Sequence, residues 1–277
     1  MNGLEPLPSA TREATSRSKA RWLRVLPPLV VLALGVLAWD LIVRLGEIPP
    51  YLLPGPFLVL STLIADWDIL SASLAVTLLT ALEGFVAAAI GGIALALLFN
   101  RSRWLEYSLL PYAIVLQVTP VIAIAPLMLI YLPQQTAVVM CAWIVAFFPV
   151  LANTTLGLNS VDRNLAGLFQ LYGASRSQTL RYLKLPAALP YILGGLRIAG
   201  GLSLIGAVAA EIAAGAAGAG SGLAYRISES SYRLNIPRMF AALLLLSAAG
   251  VVIYMLLALI SHGVLRRWHE SALRKEN

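Results

Sequence analysis

The sequence is poor in the residues that soluble enzymes and disulfide-bonded proteins depend on. Only 12% of its 277 residues are charged, against roughly 25% in a soluble globular domain, which is too few to cover a soluble protein. The single cysteine, Cys141, excludes an intrachain disulfide and any cysteine-based metal motif. The two histidines, His262 and His269, are too scattered for a metal site. We therefore expect no metal, no cofactor and no catalytic constellation.

The chain is instead rich in long apolar runs. Hydrophobic residues make up 59% of it, and six runs approach the roughly 20 residues that cross the hydrocarbon core of a bilayer. These runs cover residues 25–43, 74–99, 109–132, 136–158, 192–214 and 240–261. The sequence therefore predicts an all-α, polytopic membrane protein with six transmembrane helices in contact with lipid. We expect a transmembrane domain at residues 25–265, flanked by tails at residues 1–24 and 266–277.

The first run follows a basic stretch and superficially resembles a signal peptide. It is longer than the about 7–15 apolar residues of a signal peptide, and no small-residue cleavage site follows it. We interpret residues 25–43 as a retained first membrane helix.

The distribution of basic residues predicts the topology. The formal net charge is +7, and fifteen of the 20 Lys and Arg residues lie in the two tails and in the loops after the second and fourth runs. The loops on the opposite side hold four. Because Lys and Arg favour cytoplasmic loops, we expect both termini in the cytoplasm. The positive charge is thereby explained without a nucleic-acid partner.

The longest cytoplasmic segment, residues 159–191, predicts two short helices. Apolar residues recur there at the spacing of one helical face, namely Leu165, Leu168, Phe169 and Tyr172. Asp162 is placed to cap this helix, and Gly173 can end it in the left-handed conformation. Ser175 then caps a second helix through Leu183, which we expect Pro186 to stop. An exposed apolar face fits docking into a partner's groove; an ordinary interhelical loop is the alternative.

The spacing of this segment also resembles a family signature. Gly173-Ala174, followed by Leu183, Leu185 and Pro186, is similar to the cytoplasmic Glu-Ala-Ala loop of binding-protein-dependent ABC importer permeases. The chain departs from that signature at residues 167–169, where Gly-Leu-Phe replaces Glu-Ala-Ala, but the docking face stays apolar. The resemblance implies a set of residues that couple the permease to its ATPase: Leu165, Leu168, Phe169, Tyr172, Gly173, Ala174 and Pro186.

Other motifs extend the resemblance over most of the chain, from about Trp39 to Trp268. Residues 39–43, 53–56, 120–127, 147–154, 210–211 and 222–225 resemble segments of nitrate-, sulfonate- and taurine-type permeases. The resemblance implies a type I importer fold and a location in the bacterial plasma membrane. It also implies a permease dimer, for which we expect two copies of this chain. It also implies two ATP-binding-cassette ATPase subunits and a periplasmic or lipid-anchored solute-binding protein. Gln134-Gln135 departs from the family pattern at the exit of the third span.

Polar and kinking residues at membrane depth are the candidates for a translocation path. Gln117 and Thr119 lie just before Pro120, and irregular backbone in a membrane normally faces a cavity or another helix. Intramembrane acids likewise face a cavity or a partner. Glu211 is either an outer-gate residue or an interfacial carboxylate paired with a basic residue such as Arg226. For Glu83 we favour a hydrogen bond or ion pair within the bundle.

The sequence predicts a permease without chemistry of its own, carrying a small anion such as nitrate, a sulfonate or taurine, or a heterocycle such as a pyrimidine or riboflavin. An alternative is a secondary transporter driven by an ion gradient through Glu83 or Glu211, although such proteins usually contain internal repeats. An intramembrane enzyme is a third hypothesis, without a motif to support it.

The glycine pairs at 91–92, 194–195 and 200–201 indicate close helix packing.

Overall fold

Residues 10–215 and 220–266 are described by the structure, a computed structural model, with side chains described from residue 26 onward. The tail residues 1–9 and 267–277, and with them His269, lie outside the described part. Eleven α-helices follow one another in that part of the chain. They are α1 (Ala10–Leu45), α2 (Pro56–Ala65), α3 (Trp67–Arg101), α4 (Arg103–Val118), α5 (Val121–Tyr131), α6 (Gln134–Asn159), α7 (Arg163–Leu171), α8 (Arg176–Thr179), α9 (Leu185–Ala214), α10 (Leu223–Tyr232) and α11 (Ile236–Leu265).

The expected six-span, all-α architecture is confirmed. Five stretches are long and apolar enough to cross a membrane, and a bent pair of helices makes the sixth. The five are Leu26–Leu45, Trp67–Arg101, Gln134–Asn159, Arg176–Ala214 and Ile236–Leu265. The helices extend beyond the apolar runs because polar residues continue the helical backbone past the hydrocarbon core.

The core lies where α3 and α9 pack on α6, and small residues let the helices approach closely. A Cβ at Gly92 would lie 2.9 Å from Val150 of α6, and one at Gly195 would lie 2.8 Å from Asn153. Gly194 and Gly201, the other members of two glycine pairs, have open space beside them. Cys141 is fully buried in α6, as expected of a small apolar residue.

The third span is broken at the predicted proline. α4 ends at Val118, α5 begins at Val121, and the two helices are bent by 99° at the break. Proline disfavours the helical conformation of the residue before it, and Thr119 is accordingly extended, with φ −74° and ψ 123°. The Val115 carbonyl near the end of α4 accepts two bonds from Thr119, one from its hydroxyl at 2.6 Å and one from its backbone N–H at 3.1 Å.

The segment after α6 contains the predicted first short helix. Asp162 accepts hydrogen bonds from the backbone N–H groups of Asn164 and Leu165 at the start of α7. Gly173 has φ +68°, and the N–H of Ala174 donates to the carbonyl of Phe169 at 2.9 Å. This is the Schellman ending that glycine favours. Both ends of α7 are therefore fixed by the residues that the sequence pattern indicated.

The predicted stop at Pro186 is wrong. Ser175 does cap α8 through a capping box with Gln178, but the chain continues through a π-helical turn, Leu180–Lys184, directly into α9. Leu185 N–H donates to the Leu180 carbonyl five residues back. Pro186 then falls in the first turn of α9, where its missing N–H costs little.

Two short helices, α2 and α10, lie at the end of the bundle opposite α7. We call the end that holds α2 and α10 the α10 end, and the opposite end the α7 end. Val59 of α2 and Leu223 of α10 are buried against Ala241 and Ala242 of α11. Arg238 of α11 donates from Nε to Asp66 Oδ2 at 2.6 Å and from Nη2 to Asp66 Oδ1 at 3.0 Å. α10 was not predicted, because its polar sequence carries no long apolar run.

Candidate functional site

A pocket opens at the α10 end between α3, α6, α9 and α10. Its volume is about 330 Å³, which falls in the range of small-molecule sites. The lining combines apolar walls with amide, hydroxyl, phenol and carboxylate groups. The lining residues are Val76, Leu79, Thr80, Gln134, Gln135, Val138, Glu211, Gly220, Gly222 and Tyr225. Of the path candidates, only Glu211 lies at this pocket.

Glu211 is the buried acid of the pocket. It lies in the last turn of α9 with a relative exposure of 5%. Its Oε2 accepts the Thr77 hydroxyl at 3.0 Å and the Ala224 N–H at 3.1 Å. Its Oε1 has no hydrogen-bond partner within the described residues. This oxygen is itself buried and lies close to Gly222 at the start of α10, so it is shielded from the open part of the pocket.

Thr77 of α3 completes a three-helix junction. Its hydroxyl oxygen also accepts the Leu223 N–H at 2.8 Å. The first N–H groups of α10 therefore bond to Thr77 and Glu211, and a carboxylate at a helix N-terminus is electrostatically favourable. A side chain at Gly222 would overlap the Glu211 carboxylate. The junction ties α3, α9 and α10 together at the mouth of the pocket.

The pairing of Glu211 with Arg226 is not formed. Arg226 donates from Nη1 to Glu229 at 2.8 Å and from Nε to Ser73 at 3.0 Å. Glu229 also pairs with Arg233 at 3.1 Å. Glu229 lies one helical turn from both Arg226 and Arg233 and pairs with each. Ser73 of α3 accepts the remaining bond of Arg226, and Glu211 keeps its own partners.

The bond within the bundle that we favoured for Glu83 is also not formed. Glu83 is exposed on α3, and among the described residues it makes no hydrogen bond or salt bridge. The adjacent residue, Gly84, faces α6, where an added Cβ would lie 3.0 Å from the backbone of Trp143. Successive residues differ by about 100° around a helix, so Glu83 lies to one side of the α3 face that contacts α6.

The predicted path residues of the broken third span do not line the pocket. Gln117 is exposed near the end of α4, Thr119 is half-buried, and Pro120 is the N-cap residue of α5. None of these three residues is among those that line the pocket. Their role in a translocation path stays a prediction.

The predicted coupling residues lie at the other end of the bundle. Every side chain of α7 is at least partly exposed, and Leu165, Leu168 and Tyr172 are strongly so. Phe169 is half-buried, Gly173 and Ala174 form the end of the helix, and Pro186 lies in the first turn of α9. α7 therefore presents an unpartnered apolar face, with Tyr172 83% exposed.

Sequence reasoning missed Thr77 and the α10 N-terminus. A threonine within an apolar helix usually bonds to its own backbone, and no spacing pattern connects Thr77 to Glu211, 134 residues away. Gln134 and Gln135 were noticed only as a departure from a family pattern, and both line the pocket. No group of side chains suited to a metal ion occurs in the described ranges.

The length and apolarity of these helices make the chain a multi-pass integral membrane protein. The chain belongs to the family described as binding-protein-dependent transport system inner membrane component, which matches residues 87–266. It is accordingly the transmembrane permease subunit of an ABC importer, and membership implies an ATPase and a solute-binding protein as partners.

Relatives cover most of the chain. A probable ABC transporter permease protein of Haemophilus influenzae is 33% identical over 84% of this chain and 94% of that protein. The riboflavin transport system permease protein RibX of Chloroflexus aurantiacus is 33% identical over 87% of this chain and 90% of that protein. A solved structure of an amino acid ABC transporter with histidines has a TM-score of 0.60 at 20% identity, over 72% of this chain and 96% of that one. The last comparison shows the shared fold.

Proposed function

We propose that the chain forms the solute path of a bacterial inner-membrane importer as one of two copies. Two ATPase subunits would bind the α7 end, and a periplasmic or lipid-anchored solute-binding protein would deliver solute to the α10 end. The observation that carries this assignment is the exposed amphipathic helix α7, held by a cap at each end. Helices of this kind dock into hydrophobic grooves of partner proteins.

α7 is the proposed mechanical contact with the ATPase. Its exposed apolar residues would lie in a groove of the ATPase, and its ends are fixed by Asp162 and Gly173. A short helix with both ends fixed would move as a rigid body when the ATPase displaces it. α8 and the π-helical turn continue directly into α9, so a movement of α7 after ATP binding would reach the core of the bundle. The core would then alternate between outward-open and inward-open states.

The proposed orientation places the α7 end in the cytoplasm. Arg101 and Arg103 lie at that end, as do Arg163, Arg176 and Lys184, and such residues favour the cytoplasmic side. In this orientation the basic tails, residues 1–24 and 266–277, are cytoplasmic and residues 25–265 form the transmembrane domain. The Glu211 pocket then opens toward the solute-binding protein.

The proposed solute is a small heterocycle, with a small anion as the second candidate. The relatives that span most of the chain include the riboflavin permease RibX and the formylaminopyrimidine transport permease protein ThiX of Halalkalibacterium halodurans, which is 31% identical over 83% of this chain. A putative aliphatic sulfonates transport permease protein, SsuC of Bacillus subtilis, is 27% identical over 95% of this chain. The first two combine 31–33% identity with coverage of 83–87% of this chain, and this combination favours a heterocycle.

Co-purification tests the coupling role of α7. Leu165→Glu places a charge on the apolar face, and Gln170→Glu places the same charge on the opposite face of the same helix. We expect Leu165→Glu to reduce the amount of ATPase that co-purifies with the intact permease at least about tenfold, a loss of about 1.4 kcal/mol. Gln170→Glu is expected to retain the ATPase. Equal retention by both variants, or no ATPase with the unmodified chain, would contradict the proposal.

A further inference from the structure

The turn between α10 and α11 contains a leucine with a strained backbone. Leu234 has φ +54°, in the left-handed region that is unfavourable for residues with a Cβ. Its N–H donates to the Ser231 carbonyl at 3.1 Å, and the next N–H, that of Asn235, donates to the Ser230 carbonyl at 2.8 Å. These two bonds form the Schellman ending of α10, and Leu234 occupies the position in it that glycine normally takes.

The same ending is built with glycine at the end of α7. There Gly173, with φ +68°, donates to the Gln170 carbonyl at 3.0 Å, and Ala174 donates to the Phe169 carbonyl at 2.9 Å. The leucine of α10 does not offset its strain by packing, because it is 73% exposed. Residues held in unfavourable backbone conformations cluster at functional sites, and here the exposed side chain is what the strain preserves.

Leu234 belongs to a run of four exposed residues, 231–234, which we call the α10 tip. Tyr232 is 90% exposed, and the Arg233 side chain is 71% exposed. Arg233 and Arg226 share a single acid, Glu229, so α10 with its tip carries one net positive charge. Tyrosine and arginine are enriched among the residues that dominate the binding energy of protein interfaces. The tip therefore has the composition of a contact with another protein.

The α10 tip is the part of α10 that lies farthest from the membrane core. The helix begins beside Thr77 of α3, and one turn later Arg226 bonds to Ser73, one turn nearer the start of α3. Just beyond the tip, Arg238 bonds to Asp66, the residue before α3. α10 thus runs outward along α3, and its tip lies at the outer surface of the α10 end.

The tip also lies beyond the depth at which lipid would cover it. The apolar run of α11 begins at Phe240, six residues after Leu234, a separation of about 9 Å at the rise of a helix. The headgroup layer extends roughly 5–8 Å beyond the hydrocarbon core. The exposed tyrosine and leucine consequently project past this layer, and past the faces along which two copies would pack within the bilayer.

We propose that the α10 tip is a docking contact for the solute-binding protein. Leu234 and Tyr232 would enter an apolar recess of that protein, and Arg233 would face an acidic group at the rim of the recess. This inference rests on the proposed function, which places the binding protein at the α10 end, and it names the contact. Because α10 bonds to Thr77 and Glu211 at the pocket, docking at its tip would displace a helix that borders the pocket.

Leu234→Gly tests the contact without weakening the fold, because glycine removes the exposed side chain and relieves the backbone strain. The probe is the solute-binding protein that stimulates ATP hydrolysis by the unmodified permease–ATPase complex. Its Kd is measured by biolayer interferometry on that complex in nanodiscs. We expect Leu234→Gly and Tyr232→Ala each to raise the Kd at least about tenfold, as for the main residues of an interface. The unfolding temperature of Leu234→Gly should stay equal or rise.

Glu47→Gly is the matched control. Glu47 is the other described non-glycine residue with a positive φ, +47°, and it is exposed. Its replacement should leave the Kd unchanged. Arg233→Gln should raise the Kd more at low than at high ionic strength, because salt screens an exposed charge pair. An unchanged Kd for Leu234→Gly, an equal increase for Glu47→Gly, or the lack of any binding protein that stimulates the unmodified complex would overturn the proposal.

A fluorescent label distinguishes the other possible neighbours of the tip. Leu234→Cys in a Cys141→Ala background is labelled with bimane, and quenching is measured without the binding protein. We expect quenching by iodide in water and none by nitroxide-labelled lipid. Quenching by the lipid would place the tip in the membrane, and protection from iodide would mean that a second copy covers it; either result would overturn the proposal. Failure of the permease function itself is read separately, as loss of the co-purifying ATPase.

Discussion

Thr77 and Glu211 form a hydrogen bond of 3.0 Å between two membrane-spanning helices, α3 and α9. The same Thr77 oxygen accepts the first N–H of α10, and Glu211 accepts the second. Two side chains therefore replace the capping residue that α10 lacks, since its N-cap, Gly222, has no side chain. The position of α10 over the pocket depends on this pair.

Thr77→Val should loosen α10. The substitution preserves the shape of the side chain but leaves the buried Leu223 N–H without an acceptor, which costs about 1–3 kcal/mol. Thermal unfolding of the purified permease should shift downward, and amide exchange at Leu223 should become faster. Thr80→Val is the matched control, because within the described residues the Thr80 hydroxyl bonds only to carbonyls of its own helix. Equal shifts for the two variants would contradict a special role for Thr77.

Gly222→Ala should disturb the same junction from the other side. The added methyl group would overlap the Glu211 carboxylate, so either the carboxylate or the start of α10 must move. We expect a loss of about 1–3 kcal/mol in thermal unfolding. Gly220→Ala has open space around it and should be close to neutral. In a Glu211→Ala background the cost of Gly222→Ala should vanish, because the two sites are in contact; a persistent cost would indicate a different cause.

Much of the fold was predictable because lipid imposes a simple rule. A membrane helix needs a long apolar run, and such runs located all six spans. Local capping chemistry located both ends of α7, at Asp162 and Gly173. The stop at Pro186 failed because a π-helical turn precedes it and places the proline in a first turn, where it is tolerated. The glycine pairs indicated that helices pack closely, but the sequence did not indicate which glycine of a pair contacts the neighbouring helix.

The candidate site was less predictable because its bonds join distant segments. Glu211 was identified from its charge at membrane depth, but its partners Thr77 and Ala224 have ordinary local sequences. Arg226 was a plausible partner by charge alone, yet Glu229 lies three residues from it on the same helix. Where a local pair and a distant pair compete for one residue, only the fold decides between them.

Arg238→Lys should weaken the junction between α11 and the start of α3. Arg238 makes two hydrogen bonds to Asp66, at 2.6 and 3.0 Å, and a lysine can replace only one of them. With side chains 25% and 18% exposed, the pair is partly shielded, and we expect a loss of about 1 kcal/mol in thermal unfolding.

Arg233→Lys is the control for this pair. Arg233 is 71% exposed and makes a single contact with Glu229 at 3.1 Å, so its replacement should cost almost nothing. Asp66→Asn should lower stability to a similar extent as Arg238→Lys. If the effects of the two substitutions added fully in the double variant, the residues would be acting independently and the prediction would be wrong.

Pro120→Ala should allow the third span to straighten. Without Pro120, Thr119 is free to adopt helical angles, and α4 and α5 can join. Spin labels at Arg103→Cys and Tyr131→Cys, in a Cys141→Ala background diluted with unlabelled protein, report the change. With the 99° bend the labelled backbone positions lie roughly 25–30 Å apart, against about 40 Å along a continuous helix at 1.5 Å per residue. We expect a second, longer distance to become populated.

Pro126→Ala separates this effect from proline removal in general. Pro126 lies inside α5, beyond the break, so its replacement should leave the distance between the two labels unchanged. Packing of α5 against the core, where Ala125 is buried with Leu204 and Ala207 of α9, opposes straightening, and the bent population should therefore persist beside the longer one. If Pro120→Ala gives the bent distance alone, this packing and not the proline fixes the bend.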